Sequence, residues 1–267
     1  MKQKIKKKIF DNSLKGKCIL VTGASSGFGK AIAERFILAD ANVIIAARRI
    51  ERLKKLKKKY NTKNLHILNF DIRNKEEIYK SINQLPQDWS EIDILINNAG
   101  LARGMSSANV ADLDDWEEMV DTNCKGLMYI TRVISEGMVQ RKSGHIINIG
   151  SVAGTYPYFG ANIYGATKAF VHQFSLNLRA DLADKNVRVT SVEPGAAETE
   201  FSLVRFHGNK EKAQATYDGL EPITPENIAE IVEFVAVSPP NININKIEVM
   251  SNQQSFAGFN FIRNTSK

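Results

Sequence analysis

Lys17-Cys-Ile-Leu-Val-Thr22-Gly-Ala-Ser-Ser-Gly-Phe-Gly29-Lys-Ala-Ile-Ala-Glu-Arg-Phe-Ile-Leu38 passes through three kinds of sequence. Residues 17–22 form a short, continuous apolar run, the signature of a parallel strand buried on both faces. Gly23, Gly27 and Gly29 then punctuate a turn that also holds Ser25, Ser26 and Phe28. From Lys30 the apolar residues recur at helical spacing. A strand, a glycine turn and a helix in this order cradle a dinucleotide pyrophosphate. The glycines allow the tight turn and close backbone approach, and the helix N-terminus offers free N–H groups and a positive dipole end. The spacing is Gly-x-x-x-Gly-x-Gly, which differs from the commoner Gly-x-Gly-x-x-Gly.

The pattern repeats downstream. Asn42-Val-Ile-Ile-Ala-Ala47 reads as a second buried strand and ends in Arg48-Arg49. In a dinucleotide fold this point meets the adenosine ribose. An acid here would accept from the ribose 2′-OH and select NAD, whereas arginine accommodates the extra phosphate of NADP. With two guanidinium groups and no acid, the expected cofactor is NADP. The blander reading is that these arginines merely open a basic, solvated helix over residues 49–59.

Leu65-His-Ile-Leu-Asn-Phe70 reads as a third strand, with Asp71-Ile72 after it placed to face the adenine. Residues 74–85 are helical. Ile92-Asp-Ile-Leu-Ile96 is a fourth strand running into Asn97-Asn98-Ala99-Gly100, a small polar turn where open α/β sheets bind ligands. Residues 112–139 carry one helical pattern, and Gly144-His-Ile-Ile-Asn-Ile149 is a fifth strand closed by Gly150-Ser151. Val187-Arg-Val-Thr-Ser-Val192 is a sixth strand, closed by Pro194-Gly195. Residues 196–222, which include Thr199, lack a strong pattern and read as a substrate lid. Thr224 and Pro225 suit the N-cap and first position of a helix, and Lys246-Ile-Glu-Val-Met250 is a last strand. With no repeat and no linker, the expected fold is α/β: one Rossmann-type three-layer domain over residues 14–267, with a doubly wound parallel sheet of about seven strands.

Between the fifth and sixth strands lies Asn162-Ile-Tyr164-Gly-Ala-Thr-Lys168. On a helix, residues four apart share a face. An ammonium beside a phenol favours the phenolate, which would bring the Tyr164 pKa down from about 10 and equip it for proton transfer. Tyr-x-x-x-Lys also arises by chance as a helix-surface pair, so its context decides. Ile163, Ala166, Phe170, Phe174 and Leu178 form the apolar stripe of this helix, which leaves Tyr164 and Lys168 at its border.

The chain has 267 residues, 43% hydrophobic and 24% charged, which suits one well-cored domain. No apolar stretch is long enough to span a membrane, and residues 1–10 lack the features of a secretory signal. Two cysteines and four scattered histidines give neither a disulfide framework nor a metal site, and a cytoplasmic location is expected. The net charge of +7 is concentrated: residues 1–17 carry +6 and residues 48–63 carry +8, so the remainder is acidic. Residues 1–13 read as a basic tail. Nucleic-acid binding is the other reading of such runs, but no nucleic-acid motif accompanies them and none is expected.

Thr22-Gly-x-x-x-Gly-x-Gly29, Asn97-Asn-Ala-Gly100, Asn123, Ser151, Tyr164-x-x-x-Lys168 and Pro194-Gly195 together resemble the short-chain dehydrogenases/reductases over roughly residues 14–250. The resemblance implies a catalytic set of Asn123, Ser151, Tyr164 and Lys168. Ser151 would hold the substrate oxygen and Tyr164 would be the acid/base. Lys168 would bind the nicotinamide ribose and lower the Tyr164 pKa, and Asn123 would hold a water in a proton relay. Cofactor contacts are expected from Gly23, Ser25, Ser26, Gly27, Phe28, Gly29, Arg48, Arg49, Asp71, Ile72, Asn98, Ala99, Gly100, Tyr164, Lys168, Pro194, Gly195 and Thr199.

A narrower resemblance covers residues 193–209, extended by 241–245 and 254–258. It is to NADP-dependent 3-hydroxy acid dehydrogenases, also called serine or allo-threonine dehydrogenases. It implies oxidation of the 3-hydroxyl of short hydroxy or amino acids, or the reverse reduction, in a homotetramer built on the helices around 112–139 and 162–183. Cys124-Lys125 and Leu101-Ala-Arg103-Gly104 depart from the family pattern. A substrate carboxylate calls for a cation, and Arg205 and Arg103 are the candidates, with pairing to a local acid as the alternative. Two other readings stand beside this one: a reductase of neutral ketones, aldehydes or 3-oxoacyl thioesters on the same scaffold, and a non-catalytic NADP-binding scaffold.

Overall fold

The computed structural model describes residues 13–256. Nearly all of the expected basic tail, and residues 257–267 of the expected domain, therefore lie outside the described residues. The chain begins with β1 (Cys18–Thr22), α1 (Gly27–Leu38), β2 (Asn42–Ala46), α2 (Ile50–Tyr60), β3 (Leu65–Leu68), α3 (Lys75–Asn83) and the single turn α4 (Gln87–Ser90). It continues with β4 (Ile94–Asn97), α5 (Leu113–Val120), α6 (Leu127–Arg141), β5 (Gly144–Ile149), α7 (Asn162–Leu182) and β6 (Val187–Pro194). The segment expected to be a lid holds α8 (Glu200–Arg205) and α9 (Lys210–Ala215), followed by α10 (Pro225–Ala236) and β7 (Lys246–Val249).

The seven strands form one sheet in the order β3-β2-β1-β4-β5-β6-β7. Every pairing is parallel. Strand side chains alternate between faces, so Ile19, Val21, Val43 and Ile45 join one apolar layer with Ile32 and Phe36 of α1 and Val232 of α10. Leu20, Ile44, Leu95 and Ile146 join the other with Ile78 of α3 and Ile130, Ile134 and Met138 of α6. This two-sided burial explains the uninterrupted apolar strands. The chain winds outward from β1 to β3 and resumes at β4 on the other side of β1. That reversal opens a crevice at the strand C-termini, the usual ligand position in such sheets.

The structure corrects two expectations. The pattern over 112–139 is not one regular helix. Residues Asp121–Gly126 form a wider π-helical turn between α5 and α6, and Asn123 stands on it. The inward face of α7 is also not its apolar stripe. Tyr164, Thr167, Lys168, Val171 and Ser175 are buried, while Ala166 is exposed and Ile163, Phe170, Phe174 and Leu178 are half-buried. A polar helix face turns inward because it lines the crevice and meets β5 and β6.

α10 follows its sequence signals closely. The Thr224 side chain accepts from Asn227 N–H, the Asn227 side chain accepts from Thr224 N–H, and Pro225 occupies the first turn. Arg35 of α1 pairs with Glu230 and Glu233 across the α1–α10 seam.

Candidate active site

The turn after β1 and the turn after β4 are stitched together. Thr22 Oγ1 accepts from the N–H groups of Asn98 and Ala99 at 3.0 and 3.1 Å, and Asn98 Nδ2 donates to Thr22 O at 2.9 Å. A side chain at Gly23, whose φ is +66°, would meet Ala99 Cα at 2.9 Å, and one at Gly29 would meet Gly23 O at 2.5 Å. The close approach, more than the glycine spacing, is what these positions require.

Ser26 precedes α1 without a capping side-chain bond, and the first turn of α1 holds no acid. The first-turn N–H groups therefore lack a side-chain partner, a ready anion site. Arg49 reaches the same turn, donating to Ser25 Oγ at 3.1 and 2.9 Å and to Ser26 Oγ at 2.6 Å. This donor set and the tight glycine approach fit a dinucleotide carrying an extra phosphate. Arg48 turns the other way and meets Asp71 Oδ2 at 3.5 Å. The Asp71 carboxylate is held mainly by Arg73, at 2.7 to 3.1 Å, rather than standing free before an adenine.

One crevice of about 600 Å³ runs from this turn to α7. Its lining includes Gly23, Ser25, Ser26, Gly27, Phe28, Arg48, Arg49, Asp71, Ile72, Asn98, Ala99, Gly100, Pro194, Gly195 and Thr199. Ser151, Tyr164, Lys168, Arg103 and Arg205 line it as well. Gly29 and Asn123 support the wall from behind.

At the far end Tyr164 is 8% exposed. Lys168 Nζ donates to Ile149 O at 2.9 Å and lies 5.9 Å from the Tyr164 ring centre. Ser151 Oγ donates to Pro194 O at 3.3 Å and accepts from Ala153 N–H at 3.1 Å. Asn123 clamps the segment after the β4 turn. Its Oδ1 accepts from Leu101 N–H, and its Nδ2 donates to Leu101 O and Thr167 Oγ1. The side chain is thus a brace between that segment and α7. A side chain at Gly100 would lie 3.2 Å from Asn123 Oδ1 and 3.6 Å from Lys168 Nζ.

Electrostatics here differ from the expectation. Burial pushes the Tyr164 phenol up to about 12, and the opposing cation is Arg205, with Ser151 also favouring the phenolate. Burial also brings the Lys168 ammonium down to about 8, against the nearby Cys124 and Glu193. The cation that acts most against burial at Tyr164 is thus Arg205. The Arg205 guanidinium, on the last turn of α8, stands 5.0 Å from the Tyr164 ring centre and 5.2 Å from that of Phe201.

The two candidate cations separate. Arg103 Nε donates to Glu118 at 2.7 Å and Nη1 to Val204 O at 2.9 Å, so Arg103 ties α8 to α5. Arg205 Nη2 donates to Tyr158 Oη at 3.0 Å, while its Nε is buried without a partner. Sequence reading missed Tyr158, Phe201 and Arg52; Glu200, weighed as a local acid for Arg103 or Arg205, pairs instead with Arg49 and Arg52. Thr199 gave a usable signal: its side chain caps α8 by accepting from Phe201 N–H at 3.0 Å. Behind the site the buried Glu193 accepts from Ser191 Oγ at 3.0 Å and pairs with His172 and Lys246.

The family model for short chain dehydrogenases matches residues 17–209. The NADP-dependent 3-hydroxy acid dehydrogenase YdfG of Escherichia coli (strain K12) is 53% identical over 246 residues, covering 92% of this chain and 99% of the relative. The serine 3-dehydrogenase of Rhizobium radiobacter is 49% identical over 245 residues, 92% of this chain and 98% of the relative. Among solved structures, the closed form of serine dehydrogenase complexed with NADP+ superposes with a TM-score of 0.90 at 53% identity, covering 92% of this chain and 99% of that one. Fold, crevice and sequence agree, and the chain belongs to the short chain dehydrogenase family.

Proposed function

We propose that this protein is an NADP-dependent oxidoreductase. It oxidises the 3-hydroxyl of short 3-hydroxy acids or hydroxy amino acids such as serine, allo-threonine or 3-hydroxypropanoate, or reduces the corresponding 3-oxo acid. The observation that carries the substrate class is Arg205. Its guanidinium lies over the Tyr164 ring and lines the crevice, with a single side-chain hydrogen bond, to Tyr158, and is suited to a carboxylate. The likeness to a 3-hydroxy acid dehydrogenase and a serine 3-dehydrogenase supports the same class.

NADP, when bound, supplies the two-electron chemistry of the reaction. Gly23, Ser25, Ser26 and the α1 N-terminus would hold its phosphates, Arg48 and Arg49 the 2′-phosphate, and Lys168 the ribose near Tyr164. In the oxidative direction the Tyr164 phenolate takes the proton of the substrate hydroxyl. In the reductive direction the phenol returns it. Ser151 and Tyr164 hold the substrate oxygen as charge develops on it, Asn123 braces the segment that forms the opposite wall, and Arg205 orients the carboxylate. Arg103 fixes the lid and is not assigned to substrate. The chain works as a cytoplasmic homotetramer built on the helices of residues 112–139 and 162–183.

The test is the initial rate of NADP+ reduction at mildly alkaline pH with L-serine, L-allo-threonine, 3-hydroxypropanoate and a neutral secondary alcohol, NAD+ being run in parallel. Turnover of the charged substrates with NADP+ is expected. Turnover of the neutral alcohol alone would move the assignment to a ketone or aldehyde reductase. Tyr164→Phe should lower the rate by about 10²- to 10⁴-fold, and a variant as active as wild type would remove Tyr164 from the chemistry.

A further inference from the structure

Glu200 stands in the first turn of α8, and its carboxylate lies between two guanidinium groups. Arg49 Nη1 donates to Oε2 at 3.0 Å. Arg52 Nη1 donates to Oε1 at 2.8 Å and to Oε2 at 2.7 Å. The other arms of Arg49 are on Ser25 and Ser26. Each nitrogen of the Arg49 guanidinium is thus already engaged, by the glycine turn or by Glu200. The Glu200 carboxyl is held below the usual carboxylate range by Arg52 and then Arg49, against partial burial, so it is ionised at neutral pH.

An anion recognised by Arg49 through both arms of its fork competes for these N–H groups, because guanidinium recognition of phosphate runs through that fork. The carboxylate already holds one arm and places a like charge beside the incoming phosphate. We propose that Glu200 is an internal competitor for the 2′-phosphate site, and that Glu200 with Arg52 sets how strongly a 2′-phosphate is preferred. This rests on the NADP reading given above. Since Glu200 belongs to the lid, the competition also couples two events: a 2′-phosphate on Arg49 loosens the α8 end of the lid, and docking of that end weakens the phosphate. The coupling is reciprocal in the binding free energies. Arg49, Arg52 and Glu200 are each about two-fifths exposed, so solvent and salt limit the effect to a modest factor.

The test uses 2′,5′-ADP and 5′-ADP as probes, titrated by calorimetry into wild type and Glu200→Gln, with amide hydrogen exchange followed over residues 200–205. Wild type should prefer 2′,5′-ADP; equal binding of the two probes would defeat the NADP reading itself. Given that preference, Glu200→Gln should tighten 2′,5′-ADP by about threefold or more and leave 5′-ADP unchanged. In wild type, saturating 2′,5′-ADP should speed exchange in α8 relative to 5′-ADP. Unchanged or weaker binding of 2′,5′-ADP by Glu200→Gln, equal tightening of both probes, or α8 exchange that does not distinguish them would each overturn the competition while leaving the NADP reading intact.

Discussion

Tyr164 is buried enough to hold its proton up to about pH 12, although the oxidative direction needs it as a phenolate. Arg205 works against that burial, because a guanidinium 5.0 Å from the ring centre favours the phenolate. In the proposed mechanism the same residue would serve both substrate and acid/base. Arg205→Met should raise KM for hydroxy acids about tenfold, on the order of 1.4 kcal/mol of binding. It should also shift the alkaline rise of oxidative kcat to higher pH, since the phenolate loses its cation. An unchanged KM and pH profile would take Arg205 out of the site. Lys168 yields a stability prediction. Its pKa falls from 10.5 to about 8 on burial, so between those values the unfolded chain holds a proton that the folded chain has released. Raising the pH through that window favours the folded state. The unfavourable contribution of Lys168 is therefore greatest below about pH 8. Above pH 10 Tyr164 acts in the opposite sense, its pKa being raised on folding. Urea unfolding of wild type and Lys168→Met should show wild type gaining on the variant from pH 8 to pH 10, and a constant difference would contradict the buried ammonium. That Ser151, Tyr164 and Lys168 line one crevice was legible from the Tyr-x-x-x-Lys spacing and, for Ser151, from the family resemblance. Glu200, Arg52 and Tyr158 were not, since their role depends on which distant segment the lid brings against them.

Among the elements, the strands were the most legible. Burial on both faces leaves little room for polar interruption in the central strands, and the expected ranges fall within a few residues of all seven described strands, although β7 is half-buried and carries Lys246 and Glu248. α10 was equally clear, because Thr224 and Pro225 are local signals that need no tertiary partner. Loss of its cap should cost about 1 kcal/mol, so Thr224→Ala should lower the urea midpoint without changing the slope. A midpoint equal to that of wild type would mean that Asn227 and Pro225 start the helix unaided. The π-helical turn Asp121–Gly126 was illegible. One extra residue per turn leaves the apolar pattern of 112–139 almost unaltered, yet it rotates Asn123 toward Leu101 and Thr167. Gly126 closes that turn, where a side chain would strike Ile72 at 2.8 Å. α8 and α9 are six residues each, too short for periodicity to register.

The whole molecule explains why α7 misled the periodicity argument. A helix normally buries its apolar stripe, but α7 gives its inner face to Tyr164, Thr167 and Lys168 and leaves Phe170 and Phe174 half-buried, stacked at 5.6 Å. Leu176 on the same helix is 39% exposed, Met128 on α6 is 40% exposed, and Leu113 on α5 is 67% exposed. Apolar side chains left at the surface of three neighbouring helices suit a self-complementary contact between copies related by a two-fold axis. Ile163 and Leu178 of the stripe pack against the core within the chain, and the proposed tetramer would account for the part left at the surface, Phe170 and Phe174. Phe174→Glu places a charge on each side of such a contact and should reduce the assembly to smaller species in sedimentation velocity at micromolar concentration. Its melting temperature should also fall and become more dependent on protein concentration, because association that favours the folded state is lost by mass action. A variant that sediments and melts as wild type does would place the interface elsewhere and leave the exposed stripe of α7 without this explanation.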